Sequence, residues 1–193
     1  MLFGRFLPGA VGMLSGERVD LRAPGIADFE AWATLRAVSR DHLQPWEPRW
    51  ADDALTRDGY RRRLAWFDRL RRQDLGEAWF IHLRRSNTLL GGITLSNLRR
   101  GASQCGELGY WIGLPHTGKG YMTEALALVV AHSFGPLKLH RLEAACVPEN
   151  EASQRVLRRA GFRPEGVLRE YLKIDGVWRD HRLYARLASD PPP

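Results

Sequence analysis

The chain has 193 residues, 44% hydrophobic and 26% charged, enough for one domain to bury a core without disulfides or metal, and no stretch approaches the roughly 18 to 20 apolar residues of a membrane span. Its formal charge of +7, from 29 basic and 22 acidic side chains, favours anionic partners such as a phosphorylated cofactor or a nucleic-acid-bound target, although solubility alone also accounts for it. The pieces Arg61-Arg62-Arg63, Arg69-Leu70-Arg71-Arg72 and Arg84-Arg85 read equally well as a binding surface or as solvated faces.

In chain order, Met1 to Leu14 is apolar, but Pro8, Gly9 and Gly12 interrupt it and no signal-cleavage site is evident, so it reads as an extension. Val19 and Leu21 alternate with charged neighbours as a first strand. A helix follows through Ile26, Phe29, Ala33, Leu35 and Val38, and the two prolines of Gln44 to Pro48 stop it. A second helix spans about Thr56 to Arg72, with Tyr60, Leu64, Phe67 and Leu70 on one face. Trp79, Ile81 and Leu83 predict a strand joined through Ser86-Asn87 to another at Leu89 to Leu95. After the loop Gly101 to Gln104 come a strand at Glu107 to Ile112, a Gly/Pro turn and a helix from about Lys119 to Ser133, ended by Gly135-Pro136. A strand at Leu139 to Val147 and a helix from Asn150 to Gly161 precede a hairpin, Val167 to Ile174 with Val177 to Leu187, turned at Asp175-Gly176. The tail from Asp190 is expected to be disordered. This order indicates an α+β domain with a mixed sheet. Cys105 and Cys146 lack disulfide or zinc spacing, which fits a reducing cytoplasm and no metal.

Tyr110 to Ala125 is the most informative stretch. A strand runs through Gly113, Gly118-Lys119-Gly120 and directly into a helix, so helix-start N–H groups without intrahelical partners point outward together as an anion seat. A nucleotide-hydrolysing P-loop needs Ser or Thr where Gly120 stands, and a dinucleotide fingerprint needs glycine where Thr123 stands. A helix start without a ligand is the remaining bland reading. Glu107 is a candidate base at the start of the strand, or equally a solvent-facing or ion-paired residue. Asn150 is a good N-cap, with Ser153 an ordinary first-turn residue on that reading.

Four segments together resemble the GNAT superfamily of N-acetyltransferases, and within it the RimJ/RimL group that acetylates ribosomal proteins, nearest to the RimJ type. They are His42 to Pro48; Leu108 to Gly113 with Gly118-Lys119-Gly120 and Glu124-Ala125-Leu126; His140-Arg141-Leu142 with Asn150 to Ser153 and Leu157 to Phe162; and Tyr171 to His181. The chain departs from the superfamily at Pro115, where Gln or Arg usually stands.

The resemblance implies a mixed, mostly antiparallel twisted sheet flanked by helices with a splayed central strand pair, in one domain over residues 16–188 with an extension at 1–15 and a flexible tail at 189–193. It implies acetyl-CoA as cofactor, held by Tyr110, Trp111, Ile112, Gly113, Gly118, Lys119, Gly120, Tyr121, Met122, Thr123, Asn150 and Ser153. Ser153 is then the proton donor to the sulfur, Glu107 or water takes the amine proton, and a backbone N–H near Trp111 or Ile112 faces the oxyanion. Trp46, Glu107, Trp111 and Trp178 are expected along the acceptor groove. The implied activity is acetylation of a protein N-terminal amine, that of a small-subunit ribosomal protein beginning with alanine, by a monomer or homodimer that associates with ribosomes rather than membranes. A polyamine or antibiotic acceptor is the alternative, and a basic ribosome- or RNA-binding protein with a vestigial acetyl-CoA site is a third.

Overall fold

The computed structural model describes residues 12–193. It holds an eight-stranded mixed sheet in the order β1-β2-β3-β4-β5-β6-β8-β7. The strands are β1 (Leu14–Ser15), β2 (Val19–Arg22), β3 (Glu77–Leu83), β4 (Thr88–Arg99), β5 (Cys105–Ile112), β6 (Arg141–Cys146), β7 (Arg163–Ile174) and β8 (Val177–Leu187). The helices are α1 (Phe29–Val38), α2 (Arg40–Leu43), α3 (Arg57–Arg72), α4 (Tyr121–Phe134) and α5 (Glu151–Arg159). Among the described residues no helix is long and apolar enough to cross a membrane.

Period-two alternation sends neighbouring side chains to opposite faces, and β3 shows the result. Trp79 and Ile81 join a core with Met122, Ala125, Leu126 and Val129 of α4, whereas Phe80 between them packs with Phe29, Trp32, Leu35 and Tyr60 of α1 and α3. The arginines of α3 are mostly matched by acids: Arg61 by Asp58 at 2.8 Å, Arg71 and Arg72 by Asp68 at 2.9 and 2.7 Å, Arg57 by Glu30 and Arg62 by Asp53. Of the two readings of the Arg-rich pieces, a solvated face is the one that Arg57, Arg61, Arg71 and Arg72 display, whereas Arg62 and Arg63 line the cavity described below.

The feature that shapes the site is the one parallel pair among the described residues. β5 and β6 are in register at Cys105–Arg141, Gly106–Leu142 and Glu107–Glu143, and pairing ends there. Beyond it β5 stays with β4 as far as Ile112 while β6 follows β8. The splayed pair is thus a wedge that opens past Glu107 and Glu143.

Several boundaries differ from expectation for local reasons. Gly120 adopts the left-handed conformation as N-cap, so α4 begins at Tyr121 and Lys119 lies in the preceding turn. The first helix is a 3-10 turn at Ile26–Asp28 followed by α1, and it breaks at Ser39 before the prolines are reached. β7 starts at Arg163, four residues early, with irregular pairing on the way. Of the expected extension, residues 1–11 lie outside the described residues, and Leu14–Ser15 pair with β2. Asp190, expected in a disordered tail, accepts from the Leu187 N–H at 2.9 Å and faces Arg163 at 3.5 Å.

His82 on β3 is 3% exposed. Arg22 Nη2 lies 3.0 Å from its Nε2, and as Arg can only donate, Nε2 accepts and the ring is neutral. Burial, with the Arg22 charge adding, holds its pKa below the ordinary value. An unfolded chain protonates this histidine below about pH 6.5 while the folded one resists, so stability is full above that value and declines as pH falls. The urea midpoint is expected to drop between pH 7.5 and 5.5, and the drop to shrink in His82→Gln. Equal drops in the two proteins would remove His82 from the account.

Candidate active site

The loop between β5 and α4 forms a short 3-10 turn, Leu114–His116, and then reverses through two glycines. Gly118 at φ 72° and Gly120 at φ 79° occupy a region that costs other residues about 1–2 kcal/mol. The turn is braced from outside by Ser39 and from within by Thr117 and Lys119. Ser39 Oγ accepts from the Leu114 N–H at 2.9 Å, Thr117 Oγ1 donates to the Leu114 carbonyl at 3.0 Å, and Lys119 Nζ donates to the Pro115 carbonyl at 2.9 Å.

No side chain caps α4, and its first intrahelical bond is Glu124 N–H to the Gly120 carbonyl at 3.2 Å. The N–H groups of Tyr121, Met122 and Thr123 therefore have no partner within the helix, at its positive end. A Cβ built on Gly118 would meet nothing within 4 Å, so the space above it is open. The residues present fit an anion such as a diphosphate.

Arg18 was not marked by sequence reasoning, because it reads only as the charged neighbour of Val19. Its Nε bonds Glu124 Oε2 at 2.8 Å, its Nη1 donates to the Lys119 carbonyl at 3.0 Å, and its guanidinium lies 5.1 Å from the Tyr121 ring centre. Glu124 Oε1 also accepts the main-chain N–H groups of Arg18 at 2.7 Å and Val19 at 3.2 Å. Burial alone would raise the Glu124 carboxyl, but these bonds outweigh it and hold its pKa below the ordinary value.

Where the wedge opens, Tyr110 of β5 reaches α5. Its hydroxyl is 2.7 Å from Ser153 Oγ, and burial pushes its pKa far up despite that bond. Cys146 stands at the end of β6, free and 6% exposed; burial raises its thiol pKa, with a Ser153 hydrogen bond acting against it. Asn150 is an N-cap, its Oδ1 accepting from the Ser153 N–H at 3.0 Å. Both neutral hydroxyls are thus held at one point on the wedge wall.

Backbone direction in β5 follows from its two ends. The Gln104 carbonyl accepts from His140 N–H at 2.7 Å, on the β6 side, and the Gly113 N–H donates to Leu90 at 2.9 Å, on the β4 side. Alternation between them turns the N–H of Tyr110 and Ile112 toward the wedge and that of Trp111 toward β4.

Glu107 sits at the wedge base, accepting from Asn97 Nδ2 at 2.9 Å, with Arg99 at 3.8 Å. Arg99 lies nearer Glu143, at 3.1 Å. Glu107 is therefore ion-paired and also lines the groove.

One continuous cavity of about 1580 Å³ joins these parts. It runs from Gly118, Gly120 and Tyr121 to Thr123, past Asn150, Ser153, Tyr110 to Ile112 and Glu107, to a wall of Trp32, Trp46, Trp50 and Trp66. Gly113 and Lys119 are outside its lining. Trp178, expected along the acceptor groove, lies near the tip of the β7–β8 hairpin, 57% exposed beside the similarly exposed Val177, and is not among the residues that line the cavity. The hairpin tip is tied to the segment that lines the groove, with Asp175 N–H donating to the Glu47 carbonyl at 2.9 Å and Gln44 Nε2 to Asp175 Oδ1 at 3.3 Å. Among the described residues no cluster of three or more His, Cys, Asp or Glu has a metal-holding arrangement.

This geometry has known counterparts. The model of the acetyltransferase (GNAT) domain matches residues 18–163. The probable N-acetyltransferase YjcK of Bacillus subtilis is 38% identical over 178 residues, covering 92% of this chain and 98% of the relative. The ribosomal protein uS5-alanine N-acetyltransferase of Escherichia coli is 35% identical over 184 residues, covering 93% of each. The crystal structure of Mycobacterium smegmatis RimJ in complex with CoA-disulfide superposes with a TM-score of 0.84 at 35% identity, over 93% of this chain and 86% of that one. With a family model that matches residues 18–163 and relatives alike in sequence and fold over nearly its whole length, the chain belongs to the GNAT family of N-acetyltransferases, among relatives of the RimJ/RimL type.

Proposed function

We propose that this protein transfers the acetyl group of acetyl-CoA to the N-terminal α-amino group of a protein, in the class of ribosomal-protein acetylation to which its uS5-alanine relative belongs. The observation that carries the reading is the run of unpartnered N–H groups at a glycine turn, opening without interruption into a splayed strand pair and a long groove. A solved relative at 35% identity holds a coenzyme A derivative, and the loop here is shaped for its diphosphate.

On this reading the N–H groups of residues 118–123 take the diphosphate, and the wedge edge of β5 takes the pantetheine amides. The Ile112 N–H, rather than that of Trp111, is turned toward the acetyl carbonyl oxygen. The acceptor amine loses a proton to water or to Glu107, the carbon–nitrogen bond forms as the carbon–sulfur bond breaks, and the paired hydroxyls of Tyr110 and Ser153 return a proton to the sulfur. An α-amine has a reference pKa near 7.7–8.0, so it asks little of a base near neutrality. We place the enzyme in the cytoplasm, where the buried thiols Cys105 and Cys146 stay reduced.

Arg18 is a positioning residue in this scheme. It holds the Lys119 carbonyl, and in a trans peptide the Gly120 N–H must then point the opposite way. Arg18→Ala is expected to raise KM for acetyl-CoA about tenfold with kcat little changed, and Arg18→Lys to restore part of the loss. A KM indistinguishable from the parent would remove Arg18 from the cofactor site.

A polyamine acceptor keeps the chemistry but needs free carboxylates in the groove, and those that line it, Glu47, Asp53, Glu107, Glu143, Glu149 and Glu151, are each already engaged by an arginine. Intact-mass spectrometry of peptides and polyamines incubated with protein and acetyl-CoA tests the reading. Addition of one acetyl group to a peptide α-amine supports it, and acetylation of polyamines alone contradicts it. Salt-sensitive binding to ribosomal subunits without any turnover would favour the RNA-binding reading.

A further inference from the structure

The groove wall formed by α1, α3 and residues 40–55 carries an unequal set of charges. Arg36, 5% exposed, is bound twice by Glu47, at 2.8 and 2.5 Å, and lies over the rings of Trp50 at 4.1 Å and Trp111 at 4.9 Å. Glu47 also accepts from Trp50 Nε1 at 2.7 Å, so its lone pairs are largely used. Asp53 is taken by Arg62. Arg63 stands in the same wall, open to the groove, with its guanidinium 5.5 Å from the Trp32 ring centre and 6.0 Å from that of Phe67. Among the described residues no carboxylate lies within ion-pairing distance of Arg63, and residues 1–11 contain no acid.

The wedge base has the opposite sign. Glu107 and Glu143 sit side by side there and share Arg99, at 3.8 and 3.1 Å, while Arg141 joins Glu143, at 2.8 Å, to Glu165, so that three carboxylates face two guanidiniums. Glu107 and Trp111 are four residues apart on one strand, hence on the same face and separated by about 13 Å. The groove is bipolar, acidic where the amine is to be acetylated and basic a few residues' length away.

From this we propose that Arg63 selects acceptors bearing a carboxylate side chain within the first few residues after the free amino terminus. The inference rests on the acetyl-transfer reading above and names its substrate class: an N-terminal peptide with an early Asp or Glu. A guanidinium with unspent donors meets a carboxylate in a two-pronged, charge-assisted bond, while the aromatic walls pack the intervening residues. A polyamine, cationic along its length, meets Arg63 as a like charge.

The test uses C-terminally amidated peptides beginning with alanine, identical except for Glu, Gln or Lys placed in turn at positions 2 to 6. With the parent protein, kcat/KM is expected to be about tenfold higher for Glu than for Gln at one or two positions, and lower again for Lys. Arg63→Glu is expected to reverse the order, favouring Lys, which loss of folding cannot do. Acetylation at equal kcat/KM for all three residues overturns the charge selection and leaves the acetyl-transfer reading standing; acetylation of none overturns both. A preference that follows a free C-terminal carboxylate in non-amidated peptides, whatever the side chain, overturns the side-chain assignment.

Discussion

Gly120→Glu is expected to abolish binding of coenzyme A in calorimetry. Three effects act at one atom position. Gly120 is held at φ 79°, where a side chain costs about 1–2 kcal/mol. A Cβ there would stand 3.3 Å from Arg18 Nη2, inside ordinary contact distance. The added carboxylate would also occupy the helix mouth with the charge of the ligand it should receive. Gly120→Ala separates strain from charge: it is expected to weaken binding about tenfold, in line with the conformational cost alone. Unchanged affinity in the glutamate variant would place the diphosphate elsewhere.

Ser153→Ala is expected to lower kcat about a hundredfold while leaving affinity for acetyl-CoA within about twofold, and Tyr110→Phe to do the same. The two hydroxyls are 2.7 Å apart and burial keeps the phenol protonated, so they form one proton-delivering unit. Residues that act as a unit lose little more together than singly. The double variant should therefore resemble either single one, and losses that multiply would show two independent roles.

Much of this was legible in the residues. Gly118 and Gly120 before an apolar helix announced the left-handed turn at an uncapped helix start, and Asp175-Gly176 between alternating runs announced the closing hairpin, because glycine conformation and period-two burial are local properties. The boundary errors at Lys119 and Arg163 arose where a turn or irregular pairing, rather than periodicity, sets the end of an element. What could not be read was long-range pairing of polar groups. Arg18 and Glu124 are 106 positions apart; nothing local marks Arg18, and Glu124, marked only as part of a family-like segment, gives no sign of its partner. Tyr110 and Ser153 come together only because the wedge lets α5 approach β5. Trp178 was suggested as a groove wall by aromatic character alone, and at the hairpin tip it stands exposed together with its neighbour Val177. Arg36, Glu47 and Arg63 share a groove whose charge balance exists only once α1, α3 and residues 40–55 have packed.

The most direct test of the central claim is a crystal structure with coenzyme A. The account predicts diphosphate oxygens within hydrogen-bonding distance of main-chain N–H groups in residues 118–123, with the pantetheine arm between β5 and β6 and its sulfur beside Tyr110 and Ser153. Coenzyme A bound at another surface, with the glycine turn free of phosphate, would contradict it.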